Sequence, residues 1–318
     1  MKILVTGGAG FIGSHLCEGL IELNHSVVTI DSLNNYYSAD LKSQNLKDIK
    51  QKGVEFHKMN LIDGDYENIV KSVDIIFHLA AQPGINKTTP FEDYLNNNII
   101  ATKSLLDKAI RNSHLKLFVN VATSSVYGKF ATRAEDAEPM PTSYYGVTKL
   151  AAEQLVMSYQ RENKIKACSL RLYSVYGPRE RPEKLYPKLI DSILKDKEFP
   201  LFEGSREHSR SFTYIDDIID GFIAVIENHQ KCNGEIFNIG SDIKITTGEA
   251  IDFVEELMNK KGKFAIKPKR PGDQQSTYAI IDKAQKLLGY APKTKPEDGF
   301  KKEIEWYKEK IYNKIELY

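Results

Sequence analysis

The chain has 318 residues, with 44 Lys+Arg against 43 Asp+Glu and a formal net charge of +1. That length exceeds the usual single domain, and the charge balance gives no general electrostatic reason to bind nucleic acid or an anionic membrane, so any anionic ligand must be held locally. The three cysteines, Cys17, Cys168 and Cys232, lie far apart and cannot pair fully, which argues against a disulfide framework or thiolate metal site, and no apolar run nears the ~18 residues of a membrane span.

In chain order, "KILVTG" opens the first expected strand directly and without a cleavable signal pattern, which points to the cytoplasm. "TGGAGFIG" then sets Gly7, Gly10 and Gly13 between that strand and the helical "IGSHLCEGLIEL". Glycines so placed permit a tight turn, close approach of a pyrophosphate and tight helix packing, with the helix N-terminus facing the anion. The second strand, "SVVTID", ends at Asp31, eighteen residues beyond Gly13. A carboxylate there accepts hydrogen bonds from ribose hydroxyls and repels a 2′-phosphate, and no Lys or Arg follows in "DSLNNYY", so NAD is favoured over NADP.

Three further apolar runs, "VEFHKMN", "VDIIFHLA" and "LKLFVNVA", alternate with helical spacing, and "KACSLRLYSVYG" follows the helical "YGVTKLAAEQLVMSYQREN". Runs buried on both faces and joined by helical crossovers predict an α/β fold with a doubly wound parallel sheet, a Rossmann domain. After Gly177 the texture changes, with Pro178, Pro182, Pro187 and Pro200 punctuating shorter elements. The expected division is an NAD-binding domain over 1–177, to which the chain returns around 212–240, and a smaller α/β substrate domain over 178–318. The C-terminal "EDGFKKEIEWYKEKIY" reads as a docking helix in which Phe300, Ile304, Trp306 and Tyr307 pack.

Seventeen tyrosines in a Lys-rich chain give the spacing Tyr-x-x-x-Lys about twice by chance, so the single occurrence at Tyr145 and Lys149 gains meaning from its place. It opens the helix after the fifth strand, and "ATSSVYG" ends that strand, so both are expected at the C-terminal edge of the sheet. Positions four apart share a helix face, and an ammonium there lowers a phenol's pKa from about 10 toward working pH. Tyr145 then serves as a base, with a hydroxyl from the strand holding the substrate alcohol in line.

At these residues the chain resembles the extended short-chain dehydrogenase/reductases, and within them the nucleotide-sugar 4-epimerases, in a pattern nearest those acting on UDP-glucuronate. The resemblance runs nearly end to end through "TGGAGFIG", Asp31, "HLAAQPGI", "NNNIIAT", "ATSSVYG", "YYGVTK", "RLYSVYGPRERP", "RSFTYIDD", "FNIGS" and "KRPGDQQ". It implies a catalytic Thr123, Tyr145 and Lys149, with Lys149 also on the nicotinamide ribose and Asn98 supporting the site. It further implies a cofactor cradle of Gly7, Gly10, Phe11, Ile12, Gly13, Asp31, Leu79, Ala80 and Ala81, with Asn60 and Leu61 at the adenine. Pro83 belongs on the sugar side, Arg210 and Arg270 reach the diphosphate, and Asp273 lies near its ribose. A homodimer through "YLNNNIIATKSLLDKAI" and "YYGVTKLAAEQLVMSYQ" is implied as well. Three positions depart from the pattern: Asn60 where many relatives have Asp, Ser211 where Asp is usual, and Asn86 where uronate epimerases have Arg.

In related 4,6-dehydratases the two residues after the catalytic Thr are acidic and eliminate water, and related decarboxylases usually carry Glu just before the Val. Ser124 and Ser125 stand there instead, so elimination lacks its proton carrier, while neutral hydroxyls hydrogen-bond a sugar carboxylate without repelling it. The expected chemistry is oxidation and re-reduction of sugar carbon 4, with Arg181 clamping a uronate carboxylate and Ser124, Ser125 and Ser174 assisting. Epimerisation of UDP-glucose or UDP-N-acetylglucosamine, decarboxylation or 4,6-dehydration of a nucleotide sugar, and a non-catalytic NAD sensor are the alternatives. The histidines lack metal-ligand spacing, so no metal is expected, and His78 reads as a hydrogen-bonded core residue. Arg171, Arg179 and Arg206 read at least as well as structural.

Overall fold

The computed structural model describes residues 1–85, 88–269 and 275–315. Seven strands form the central sheet: β1 (Lys2–Thr6), β2 (Ser26–Asp31), β3 (Glu55–Lys58), β4 (Ile75–His78), β5 (Leu117–Thr123), β6 (Ala167–Leu172) and β7 (Ile236–Ile239). Their order is β7-β6-β5-β4-β1-β2-β3, and every neighbouring pair is parallel. The chain winds outward to one side from β1 and to the other from β4, so the crevice beyond the carboxyl ends of these two strands is the switch point where such sheets take ligands.

β4, β5 and β6 are buried at every position. Successive residues point to opposite faces. Ile3 and Val5 therefore join the layer that holds Leu16, Cys17 and Phe222, while Leu4 joins the layer of Leu105, Leu106 and Val156. The expected strand "VEFHKMN" is shorter than its run, half-buried at most, and forms the sheet edge as β3. His78 closes β4 with both ring nitrogens bonded, Nδ1 to Thr6 Oγ1 and Nε2 to Thr102 Oγ1, each at 2.9 Å. All three cysteines are buried free thiols.

After β6 the chain leaves the sheet and later comes back. The helix Ile215–Glu227 packs against α1 (Phe11–Glu22), with Ile219 against Gly19, and β7 then pairs with β6. Segments before, within and after this excursion build small pieces: a parallel pair, Glu198–Phe202 with Lys263–Lys267, and a sheet of two-residue strands that includes Ser209–Arg210. The expected C-terminal helix is Pro296–Trp306; Phe300, Ile304 and Tyr307 are buried and Trp306 is partly so. Phe300 stacks on Tyr176 and Tyr186 at 4.6 Å between centroids.

One ion pair lies inside this core. Arg171 of β6, 2% exposed, donates through Nε and Nη2 to Glu153 of the helix Tyr144–Arg161 at 3.0 and 2.7 Å. Arg171→Met leaves a buried carboxylate without its cation and is expected to cost about 3–5 kcal/mol in denaturant unfolding, whereas the double change with Glu153→Leu recovers most of that loss.

Candidate active site

A cleft of about 780 Å³ opens at the carboxyl edge of the sheet. Gly7, Gly10, Phe11, Ile12, Gly13, Asp31, Asn60, Leu61, Leu79, Ala80, Ala81 and Pro83 line one part of it. Thr123, Ser125, Tyr145, Lys149, Ser174, Arg181 and Arg210 line the other. Two expected residues do not reach it: Ser124 and Asn98 are buried beside the cleft. Arg270 and Asp273, like Asn86, lie outside the described residues.

The glycine turn is built for a close neighbour. Gly7 has φ +76°, and a Cβ there would stand 2.9 Å from the Ala80 nitrogen; at Gly13 it would overlap the Gly7 carbonyl oxygen at 2.2 Å. Asp31 holds this turn by accepting the Ala9 N–H at 3.1 Å and the Leu33 N–H at 2.8 Å, while facing the cleft. The bare turn and the carboxylate fit the pyrophosphate and the free ribose of NAD. Lys42 also lines the cleft, but its ammonium is engaged by Asn34 Oδ1 at 2.7 Å. Asn60 spends its Oδ1 on the Ile62 N–H at 2.9 Å, which shapes the loop and leaves the side-chain amide to donate.

Thr123 ends β5 and caps the short turn Ser124–Tyr127, its Oγ1 accepting the Ser125 N–H at 3.2 Å and donating to Ser125 Oγ at 3.3 Å. Adjacent residues of this 3₁₀ turn point about 120° apart; both serines are buried, and Ser125 lines the cleft while Ser124 does not. The Tyr144–Arg161 helix begins with Ser143 accepting the Gly146 N–H at 3.1 Å. A Cβ on Gly146 would come 2.8 Å from the Ser125 carbonyl, so glycine lets the helix start press against the turn, which brings Tyr145 beside Thr123.

Asn98 ties these parts together from behind. Its Oδ1 accepts the Gln82 N–H at 2.7 Å and its Nδ2 donates to Thr148 Oγ1 at 2.9 Å, which fixes the loop after β4 to the helix of Tyr145. It sits in a π-helical stretch, Leu95–Ile100, a widening that often marks functional sites. Ser174 reaches the cleft in a left-handed conformation, φ +25°, which costs a non-glycine residue energy and is held by Thr213 N–H on its carbonyl at 3.2 Å. Arg181 pairs with Glu183 at 2.6 Å and lies over the Tyr36 ring. Arg179 pairs with Glu18 at 2.8 Å, Arg206 with Asp252 at 2.7 Å, and Arg171 with Glu153, so these three are structural.

Electrostatics correct one expectation. Burial pushes the Tyr145 phenol above its ordinary range, Thr123 and the Arg181 charge pull it down, and Lys149 is not among the largest influences on it. Lys149 is itself pulled down to about 8 by burial, with Glu153 one turn along acting to keep it charged. Its ammonium has no hydrogen-bond partner among the described residues and faces the cleft, the arrangement a ribose hydroxyl would complete.

Residues 3–240 match the NAD dependent epimerase/dehydratase family. The chain belongs to that family. It is 36% identical to the UDP-glucuronic acid 4-epimerase of Bacillus cereus, solved in complex with UDP-glucuronic acid and NAD, with a TM-score of 0.93 over 97% of this chain and 99% of that one. It is 40% identical over 309 residues to an uncharacterized UDP-glucose epimerase, YtcB, of Bacillus subtilis, covering 96% and 97% of the two chains. UDP-glucuronate 4-epimerase 4 of Arabidopsis thaliana is 31% identical, with 96% of this chain and 75% of that protein covered.

Folding the family chain here carries a cost at Lys149. Its amine falls from 10.5 to about 8, so between those values the unfolded chain holds a proton that the folded chain has lost, and stability rises with pH across that window. Below it the full penalty applies, on the order of 3 kcal/mol. Lys149→Met is therefore expected to raise the urea stability of the cofactor-free protein at neutral pH and flatten its rise toward pH 10, while removing activity.

Proposed function

We propose that the protein is an NAD-dependent UDP-sugar 4-epimerase, acting on UDP-glucuronate to give UDP-galacturonate. The observation that carries this is the contact of Thr123 with the Tyr145 phenol beside Lys149, with only hydroxyls in the turn where elimination needs a carboxyl group. Residues 1–177, with the return at 212–240, would hold the dinucleotide, and 178–318 most of the nucleotide sugar. NAD, when bound, supplies a hydride acceptor that becomes the donor of the return step. Thr123 holds the carbon 4 hydroxyl, Tyr145 takes its proton as the carbon is oxidised, and Lys149 anchors the ribose. The ketone then turns over within the cleft, and the proton on Tyr145 goes back to the oxygen as the opposite face is reduced.

A 4-keto uronate is a β-keto acid, which loses carbon dioxide when the bond to its carboxylate aligns with the carbonyl π system. Arg181, with Ser125 and Ser174, supports a carboxylate held out of that alignment. The guanidinium is already oriented by Glu183 at 2.6 Å, and a planar fork fixes a carboxylate in one plane. Of Ser124 and Ser125, Ser125 is the one that lines the cleft.

No helix among the described residues is long and apolar enough to cross a membrane. Work in the cytoplasm, supplying an acidic sugar for polysaccharide synthesis, fits this chemistry. A homodimer is supported by Phe91, Ile100, Tyr144 and Val147, apolar or aromatic side chains left exposed on two adjacent helices. Phe91 and Tyr144 already meet edge to face at 5.2 Å.

Incubation with UDP-glucuronate and NAD should give UDP-galacturonate of unchanged mass, and Tyr145→Phe should lower kcat by roughly 10²- to 10⁴-fold. A product lighter by carbon dioxide or water, or turnover confined to neutral UDP-hexoses, would refute the assignment. Val147→Glu should convert the dimer to a monomer in light scattering with the fold retained.

A further inference from the structure

Arg181 enters the cleft with a side chain 12% exposed, and two groups hold its guanidinium. Glu183 pairs with Nη1 at 2.6 Å. The other is Tyr36, over whose ring the guanidinium carbon lies at 5.8 Å from the centroid. The backbone beneath is held separately: His15 Nε2 donates to the Pro178 carbonyl at 2.9 Å, and Arg179 pairs with Glu18 at 2.8 Å. These contacts set where the arginine starts, while Glu183 and Tyr36 set where its head points.

Tyr36 comes from a different wall. It belongs to the loop after β2 that begins at Asp31, whose carboxylate takes the Leu33 N–H at 2.8 Å. Lys42, buried, fastens the same loop by donating to Asn34 Oδ1 at 2.7 Å, and its ammonium sits 4.5 Å from the centroid of the Tyr37 ring. Tyr37 is thereby spent within the loop, whereas Tyr36 reaches across to Arg181. Both partners close on Gly84, in the loop after β4: a Cβ there would stand 3.3 Å from Tyr36 Oη and 3.4 and 3.5 Å from the two Arg181 Nη atoms. Gly84 is itself held at φ +86°, with its carbonyl accepting from the Tyr94 hydroxyl at 2.8 Å. Three loops at the carboxyl edge of the sheet thus meet at one guanidinium.

The direction of that guanidinium decides how an acidic sugar is received. Among the described residues the arginines lining the cleft are Arg181 and Arg210, and position 86, where the uronate pattern carries a further arginine, is Asn. Glu183 lines the cleft too, so a sugar carboxylate is attracted while the guanidinium faces it and repelled by Glu183 once the guanidinium swings aside. An aromatic face holds a cation without using its N–H donors, which a second carboxylate partner would consume. We propose that Tyr36 is a positioning residue that sets the preference for an acidic sugar, its ring keeping the Arg181 fork turned toward the uronate carboxylate. The assignment rests on the uronate function above.

Calorimetric titration of the NAD-loaded protein with UDP-glucuronate, and with UDP, which lacks the sugar, tests it. Tyr36→Leu keeps much of the bulk and loses the aromatic face; it should weaken UDP-glucuronate roughly fivefold, the scale of one cation–π contact, and leave UDP unchanged. Tyr36→Phe keeps the ring and should restore the affinity. In an Arg181→Met background, Tyr36→Leu should cost nothing further. Unchanged UDP-glucuronate binding in Tyr36→Leu would overturn the proposal, as would an equal loss for UDP, an equal loss in Tyr36→Phe, or a loss undiminished in the Arg181→Met background. Wild-type protein that turns over neutral UDP-hexoses and not UDP-glucuronate would instead remove the uronate function beneath it.

Discussion

The pairing of Glu153 with Arg171 is the constraint on which the rest of the site depends. It joins the helix of Tyr145 and Lys149 to the sheet by two parallel bonds, and the remaining guanidinium nitrogen donates to the Tyr127 hydroxyl at 2.7 Å. Tyr127 donates on to Asn238 of β7, and Ser169 of β6 bonds both Glu153 and Asn120 of β5. Three strands, one turn and one helix thus meet in a single polar network beneath the cleft. A hydrophobic replacement of such a pair is often as stable, so its value here is directional: it allows one rotation of the helix about its axis. Glu153 also keeps the Lys149 ammonium charged from one turn away.

Around this anchor the cleft holds several costs in reserve. Tyr145 and Lys149 both have their charged forms penalised by burial. Ser174 and Arg179 sit at positive φ, +25° and +69°, and the helix through Asn98 widens by a π turn. Each feature is unfavourable by itself and persists because the surroundings over-determine it. A ligand that brings hydrogen-bond partners and opposite charge relieves the electrostatic part, which is how a cleft of polar groups stays open yet binds selectively.

Much of this was legible in the sequence, for definite reasons. Parallel strands buried on both faces leave long apolar runs, and the glycine turn and Asp31 are local requirements with fixed spacing. Tyr145 and Lys149 are one helical turn apart by sequence alone. What was not legible has another cause. Adjacent residues in a turn point apart, so Ser124 could not be sorted from Ser125, and Asn98 works through Gln82 and Thr148, which no periodicity connects to it. The expected lowering of the Tyr145 phenol used proximity to Lys149 and omitted burial, which proves the larger influence. Tyr36 and Tyr37, also at the cleft, had a visible signal in "DSLNNYY", read there only for its lack of basic residues.

The late return of β7 to the sheet bears on how such a protein can diversify. Because the stretch that follows β6 is bracketed by strands of one sheet, no single junction separates a cofactor half from a sugar half. A recombination event at one point would strand β7 and the helix Ile215–Glu227 away from α1 and leave an apolar edge bare. New sugar preferences in this lineage must therefore arise by exchange of individual side chains along the cleft wall, at positions such as 125 and 181, and not by shuffling of modules.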